Sequence, residues 1–210
     1  MLVIEGPDNL GKTTAAHRLV NICAVRASDT ARFWNEHAEC EEPECECRKV
    51  VPTTLPYPVF YSHMSRPNCA FNFFTHYQER ITTYGVQDRF HLGGIVWHEN
   101  AICDSTLQQI ESWLTRVGSM VVVFYCSDED WYRERLKTSN RIEMFDIDTI
   151  LAANRKFMSM VLGEQVEGML PRIDHSFDIN PGARNSVYPT DEMLNQLADL
   201  WYKRLEFIDC

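Results

Sequence analysis

Gly6-Pro7-Asp8-Asn9-Leu10-Gly11-Lys12-Thr13 has the residue types and spacing to hold a row of phosphates. The glycines let the backbone wrap an anion with its N–H groups pointing inward. A helix opening behind such a loop adds partial positive charge at its N-terminus. Lys12 can reach the β- and γ-phosphates, and the Thr13 hydroxyl can ligate Mg²⁺. The candidate nucleotide contacts are Gly6, Asn9, Gly11, Lys12, Thr13 and Thr14, with ATP and Mg²⁺ as the implied cofactors.

Loops of this kind serve motors, switches and kinases alike, so the rest of the chain has to discriminate. The Asn-Lys-x-Asp segment that a guanine-binding switch needs is absent. A motor would carry a strand of four apolar residues ending in acid. Here the apolar run Met120–Tyr125 is followed by Cys126 and Ser127, and the acids Asp128 and Glu129 lie past the strand. The chain carries instead Asp88-Arg89 after the strand-like Gly85-Val86-Gln87.

Those residues need a scaffold, and the hydrophobic pattern outlines one. Leu2 to Glu5 reads as a buried first strand, the loop follows, and a helix is expected from Gly11 through Val20. Residues 59–64 read as a second strand and residues 69–82 as an aromatic-rich helix. Residues 106–117 form an amphipathic helix closed by Gly118, and Met120–Tyr125 is the clearest buried parallel strand. Helices are expected at 129–137, 147–162 and 190–207, the last with Thr190 as N-cap and Met193, Leu194, Leu197, Leu200, Trp201 and Leu205 on its apolar face. Strands alternating with helices imply an α/β fold with a parallel sheet covered on both faces. No internal repeat and no domain boundary interrupts residues 1–210.

The chain has 210 residues and a formal net charge of −10, which argues mildly against broad binding to DNA or anionic membranes. No run approaches the ~20 apolar residues of a membrane-spanning helix. Met1-Leu2-Val3-Ile4 has no basic lead and runs directly into the phosphate loop, so a cytoplasmic location is the expectation. Without a secretory segment the eight cysteines read as reduced thiols.

With these motifs in place the chain resembles the thymidylate kinase family, and more loosely the deoxynucleoside kinases. The likeness rests on Ile4-Glu5-Gly6-Pro7-Asp8-Asn9-Leu10-Gly11-Lys12-Thr13-Thr14, on Arg66-Pro67, on the segment from Asp88-Arg89-Phe90-His91 to Trp97-His98, and on Arg141-Ile142-Glu143-Met144-Phe145-Asp146. It implies a three-layer P-loop kinase fold with about five parallel strands and a lid over residues 133–146. It also implies roles. Lys12 and Mg²⁺ would neutralise the moving phosphoryl group, with Thr13 and Asp88 at the metal or its waters. Arg89 and Asp8 would face the acceptor, and Arg66 would line its site. Arg135 and Arg141 are the lid candidates, with Arg133 and Lys137 next.

Phe71, Phe74 and Tyr77 either stack on a base or pack a core. Trp97 and His98 stand where the family reads thymine with Tyr and Gln, and Gly93-Gly94 replaces a Ser-rich stretch. These departures leave the phosphate machinery intact and the acceptor open. The loop and Asp-Arg variants look most like bacteriophage members, which resemble both free-nucleotide kinases and kinases of 5-hydroxymethyluracil in DNA. A thymidine-type deoxynucleotide is the first expectation and modified DNA the second; a non-catalytic ATP-binding regulator is a lesser third. The resemblance also makes a homodimer reasonable.

Residues 32–56 read as an inserted, irregular flap. His37, Cys40, Cys45 and Cys47 could in principle hold zinc, but Cys-x4-Cys and Cys-x-Cys are off the usual spacing, and glutamates crowd the stretch. An acidic, unliganded flap is the favoured reading.

Overall fold

The computed structural model describes residues 1–26, 30–31, 34–35, 51–52, 60–63, 85–97, 102–139, 145–166, 168–180 and 189–206. Strand β1 (Leu2–Glu5) opens the chain and leads through the loop into helix α1 (Lys12–Arg26). Three two-residue strands follow: β2 (Thr30–Ala31), β3 (Trp34–Asn35) and β4 (Val51–Pro52). Then come β5 (Phe60–His63), β6 (Gly85–Asp88), α2 (His91–Trp97), α3 (Asp104–Arg116), β7 (Met120–Tyr125), α4 (Glu129–Thr138), α5 (Ile147–Val161), β8 (His175–Asp178) and α6 (Asp191–Glu206).

The main sheet runs in the order β3-β5-β6-β1-β7-β8, and every pairing in it is parallel. About five strands were expected. Hydrogen bonding pairs six, one of them the two-residue edge strand β3, and four, β1, β6, β7 and β8, carry described side chains. The insertion is also less irregular than its composition suggests. β4 pairs antiparallel with β2, and β3 joins the main sheet beside β5. Backbone pairing needs no side-chain periodicity, so two-residue strands leave no pattern to read. His37, Cys40, Cys45, Cys47 and the 69–82 segment lie outside the described residues.

Alternation along the central strands builds the three layers. Leu2, Ile4, Val122 and Phe124 face one way and pack with Leu19 and Val20 of α1 and Leu194, Leu197 and Trp201 of α6. Met1, Val3, Val121 and Val123 face the other way, onto Leu92 and Ile95 of α2, Leu107 and Ile110 of α3, and Phe157 of α5. A strand buried on both faces has to be apolar throughout, which is why β1 and β7 stand out in the sequence. Among the described residues no helix is long and apolar enough to cross a membrane.

The chain passes from β6 over β1 to β7, so the order of the sheet reverses beside β1. Ligands of open α/β sheets bind outside the carboxyl ends of the strands at such a point. Register brings the key residues level with each other there: Ile4 lies opposite Asp88, and Glu5 opposite Val123.

Candidate active site

The phosphate loop leaves β1 at Gly6, whose φ of 140° lies in the region that side chains avoid. A Cβ there would stand 2.2 Å from the Phe124 carbonyl oxygen of β7. Asn9 and Gly11 are also left-handed, at φ 62° and 81°. The loop curls over the start of α1, and Ala15 N–H closes the first helical turn on Gly11 at 2.8 Å.

Lys12 is buried inside the curl. Its ammonium donates to the Pro7 carbonyl at 2.5 Å and lies 3.9 Å from Asp8 Oδ1. Burial, with help from the Arg89 guanidinium, lowers its pKa to about 8, against the opposing pull of Asp8, Asp88 and Glu5. A bound polyphosphate would favour the charged form and raise that pKa again. Affinity carried by Lys12 is therefore fully present below pH 8 and is lost as pH rises above it. ATP binding followed by calorimetry is expected to weaken by up to tenfold per unit above about pH 8. A Kd flat from pH 7 to 9.5 would contradict this.

Asp88 and Arg89 grip the loop at two places. The Thr13 hydroxyl donates to Asp88 Oδ2 at 2.6 Å, and the Arg89 guanidinium pairs with Asp8 Oδ1. The first contact sets a hydroxyl and a carboxylate side by side, a donor set that suits Mg²⁺, which keeps several waters and shares its remaining ligands with substrate phosphates. Among the described residues no cluster of three His, Cys, Asp or Glu could hold a metal. A cation at this site would rest on Thr13, Asp88, phosphate oxygens and water.

Helix α4 holds the loop from outside. The buried Tyr132 hydroxyl donates to the Asp8 carbonyl, and Arg135 Nε donates to the Asn9 carbonyl at 2.9 Å. The Arg135 guanidinium also lies over the Trp131 ring, 5.3 Å from its centroid. Arg133 and Lys137, the next candidates in line, turn to surface acids instead: Arg133 to Asp148 at 2.8 Å, Lys137 to Glu134 at 2.6 Å. Trp97, expected near the acceptor base, stacks on Phe145 with centroids 5.0 Å apart and planes 3° from parallel. Phe145 directly precedes Asp146, the N-cap of α5, so α2 is joined to the start of α5. Thr14 is exposed on the first turn of α1. Arg66, Phe71, Phe74, Tyr77, His98 and Arg141 lie outside the described residues.

Sequence reading missed Glu5, Gln87 and Tyr132 as parts of this site. For Tyr132 a signal existed: it sits three residues before Arg135 and so shares its helix face.

No family model matches the chain, and no curated protein does. Among solved structures it is similar to the YorR protein of Bacillus subtilis, crystallised in complex with phosphorylated GDP. The two align over 95% of this chain and 94% of the other, at 18% identity and a TM-score of 0.56. At that identity the likeness speaks to architecture alone. The chain shares the fold of that protein. That fold puts the phosphate loop, the Asp88-Arg89 turn and α4 at one end of the sheet, where the contacts above join them.

Proposed function

We propose that the protein is an ATP-dependent kinase that transfers the γ-phosphate, with Mg²⁺, to a thymidine-type deoxypyrimidine nucleotide. The observation that carries this reading is the division of labour between two adjacent residues. Asp88 contacts the helix end of the phosphate loop at Thr13, while Arg89 contacts its opposite arm at Asp8. Phosphoryl transfer needs charge neutralisation on both sides of the moving group more than covalent help. In this reading Lys12, Thr13 and Asp88 serve the donor, and Asp8 with Arg89 receives the acceptor. The thymidine-type acceptor rests on the family resemblance of the Asp88–His98 segment.

The test is labelled transfer from γ-³²P-ATP to a panel of five acceptors run side by side: TMP, dUMP, dCMP, dGMP, and duplex DNA containing 5-hydroxymethyluracil. Labelled TDP formed faster than any other product is the expected result. Label in the modified DNA and in no free nucleotide would move the acceptor to a base within DNA. Preference for dGMP would overturn the pyrimidine assignment.

A further inference from the structure

Glu5 is the last residue of β1, stands directly before the phosphate loop, and is wholly buried. Its Oε1 accepts three backbone N–H groups: Phe90 at 2.9 Å, Leu92 at 2.8 Å and Gly93 at 3.3 Å. These belong to the segment that follows Asp88-Arg89 and opens α2. That helix has only seven residues, and two of its first four are glycines, so its intrinsic tendency to form is poor. A carboxyl collecting its early N–H groups supplies what propensity does not.

The same carboxyl sits beside a strained turn. Arg89 has φ 64°, a left-handed conformation uncommon for a side chain of its size. Such a residue persists only where its surroundings over-determine it. Here they do so from three sides. Arg89 N–H donates to the Ile4 carbonyl at 3.0 Å, and Gln87 Nε2 donates to the Arg89 carbonyl at 2.8 Å. Glu5 fixes three of the next four residues. Gln87 is itself buried in the sheet, so this bracket is rigid.

We propose that Glu5, assisted by Gln87, is a positioning residue: it clamps the backbone from Phe90 to Gly93 and so holds Arg89 in the turn that aims its guanidinium at Asp8. The clamp acts on the acceptor side. Of the three carboxyls that bear on Lys12, Glu5 has the smallest influence, so the donor side feels its loss least. The catalytic meaning of the clamp rests on the kinase reading above; its existence does not.

Glu5→Ala removes the acceptor of all three N–H groups, while Glu5→Gln keeps an oxygen in place. In Glu5→Ala the KM for the best nucleotide of the panel is expected to rise about tenfold to a hundredfold, the scale of a misplaced positioning group. The Kd for ATP, measured by calorimetry, stays within about threefold, since Lys12 keeps the larger pulls of Asp8 and Asp88. Glu5→Gln recovers most of the acceptor KM. Gln87→Met gives the same split more weakly and serves if Glu5→Ala does not fold. A parallel loss of ATP affinity and acceptor KM, or a lowered Tm with wild-type KM, would overturn the proposal. Amide hydrogen exchange at Phe90, Leu92 and Gly93 tests the clamp without turnover. Protection there falls in Glu5→Ala and returns in Glu5→Gln; unchanged protection in Glu5→Ala removes the clamp. Wild-type protein that transfers no phosphate defeats the kinase reading alone.

Discussion

Lys12→Ala is expected to lower kcat for phosphoryl transfer about a thousandfold, the upper range for loss of one preorganised electrostatic group. The side chain is 4% exposed, so its charge acts in a site from which water is largely excluded. There each interaction with a developing phosphoryl charge is worth more than in solvent. Its ammonium sits between the Pro7 carbonyl and Asp8, at the centre of the loop rather than at its rim. The neighbouring Arg89 guanidinium cannot take over, because Asp8 already holds it. Lys12→Met fills a similar volume without the charge, and comparison of the two separates lost charge from a cavity. Steady-state release of ADP in the presence of the best acceptor is the readout, with circular dichroism to establish folding. A folded Lys12→Ala variant that kept more than a tenth of wild-type activity would contradict the role given to Lys12. Wild-type protein that binds ATP but releases no ADP with any acceptor would favour an ATP-binding regulator over a catalyst.

Gly6→Ala is expected to produce a larger stability loss than a methyl added at Gly93, Gly163 or Gly168. The added carbon would lie 2.2 Å from the Phe124 carbonyl oxygen, a backbone atom in the middle of the sheet. Neither partner can swing aside, because Phe124 is paired with Phe177 in the neighbouring strand. Overpacking of this kind costs about 1–3 kcal/mol and the unfavourable backbone conformation roughly 1–2 more. For a chain of this size each kcal/mol lowers Tm by about 2–4 °C, so a fall on the order of 10 °C is expected. Gly163→Ala and Gly168→Ala are the matched controls. Their φ values are 79° and 77°, but nothing stands within 4 Å of either new carbon. They carry the conformational term without the clash and are expected to fall by only a few degrees. Equal shifts in all three variants would remove the steric argument. ATP binding is also expected to be lost in Gly6→Ala, since the loop must shift to admit the methyl.

How much of this was legible depended on what each segment must satisfy. β7 matched its predicted bounds because a strand buried on both faces carries an unbroken apolar run. α6 was legible from its period and from Thr190, whose hydroxyl accepts Met193 N–H at 3.2 Å. β8 was invisible: His175-Ser176-Phe177-Asp178 lies at the sheet edge with alternate residues exposed, and its polarity reads as loop. α2 was suggested only by resemblance, since Gly93-Gly94 argues against a helix and Glu5 supplies the missing support from far along the chain. The phosphate loop was legible because its chemistry is local. The contacts of Asp8 with Arg89 and of Thr13 with Asp88 span more than seventy residues and depend on the register of β1 with β6. No local pattern encodes that register. Tyr132 shares a helix face with Arg135, but its bond to the Asp8 carbonyl depends on how α4 docks on the loop.

The phosphate loop, first read as a clamp for phosphates, is therefore gripped at two places by one Asp-Arg turn and backed by α4. The chemistry proposed for that loop is transfer rather than storage or hydrolysis. The most direct measurement is a single turnover of γ-³²P-ATP by excess protein with Mg²⁺ and TMP, quenched over time and resolved by charge. A kinase predicts that the label leaves ATP and appears in nucleoside diphosphate, with little inorganic phosphate, and that omission of TMP slows its departure. Label appearing as inorganic phosphate whether or not an acceptor is present, or remaining in ATP with every acceptor of the panel, would contradict it.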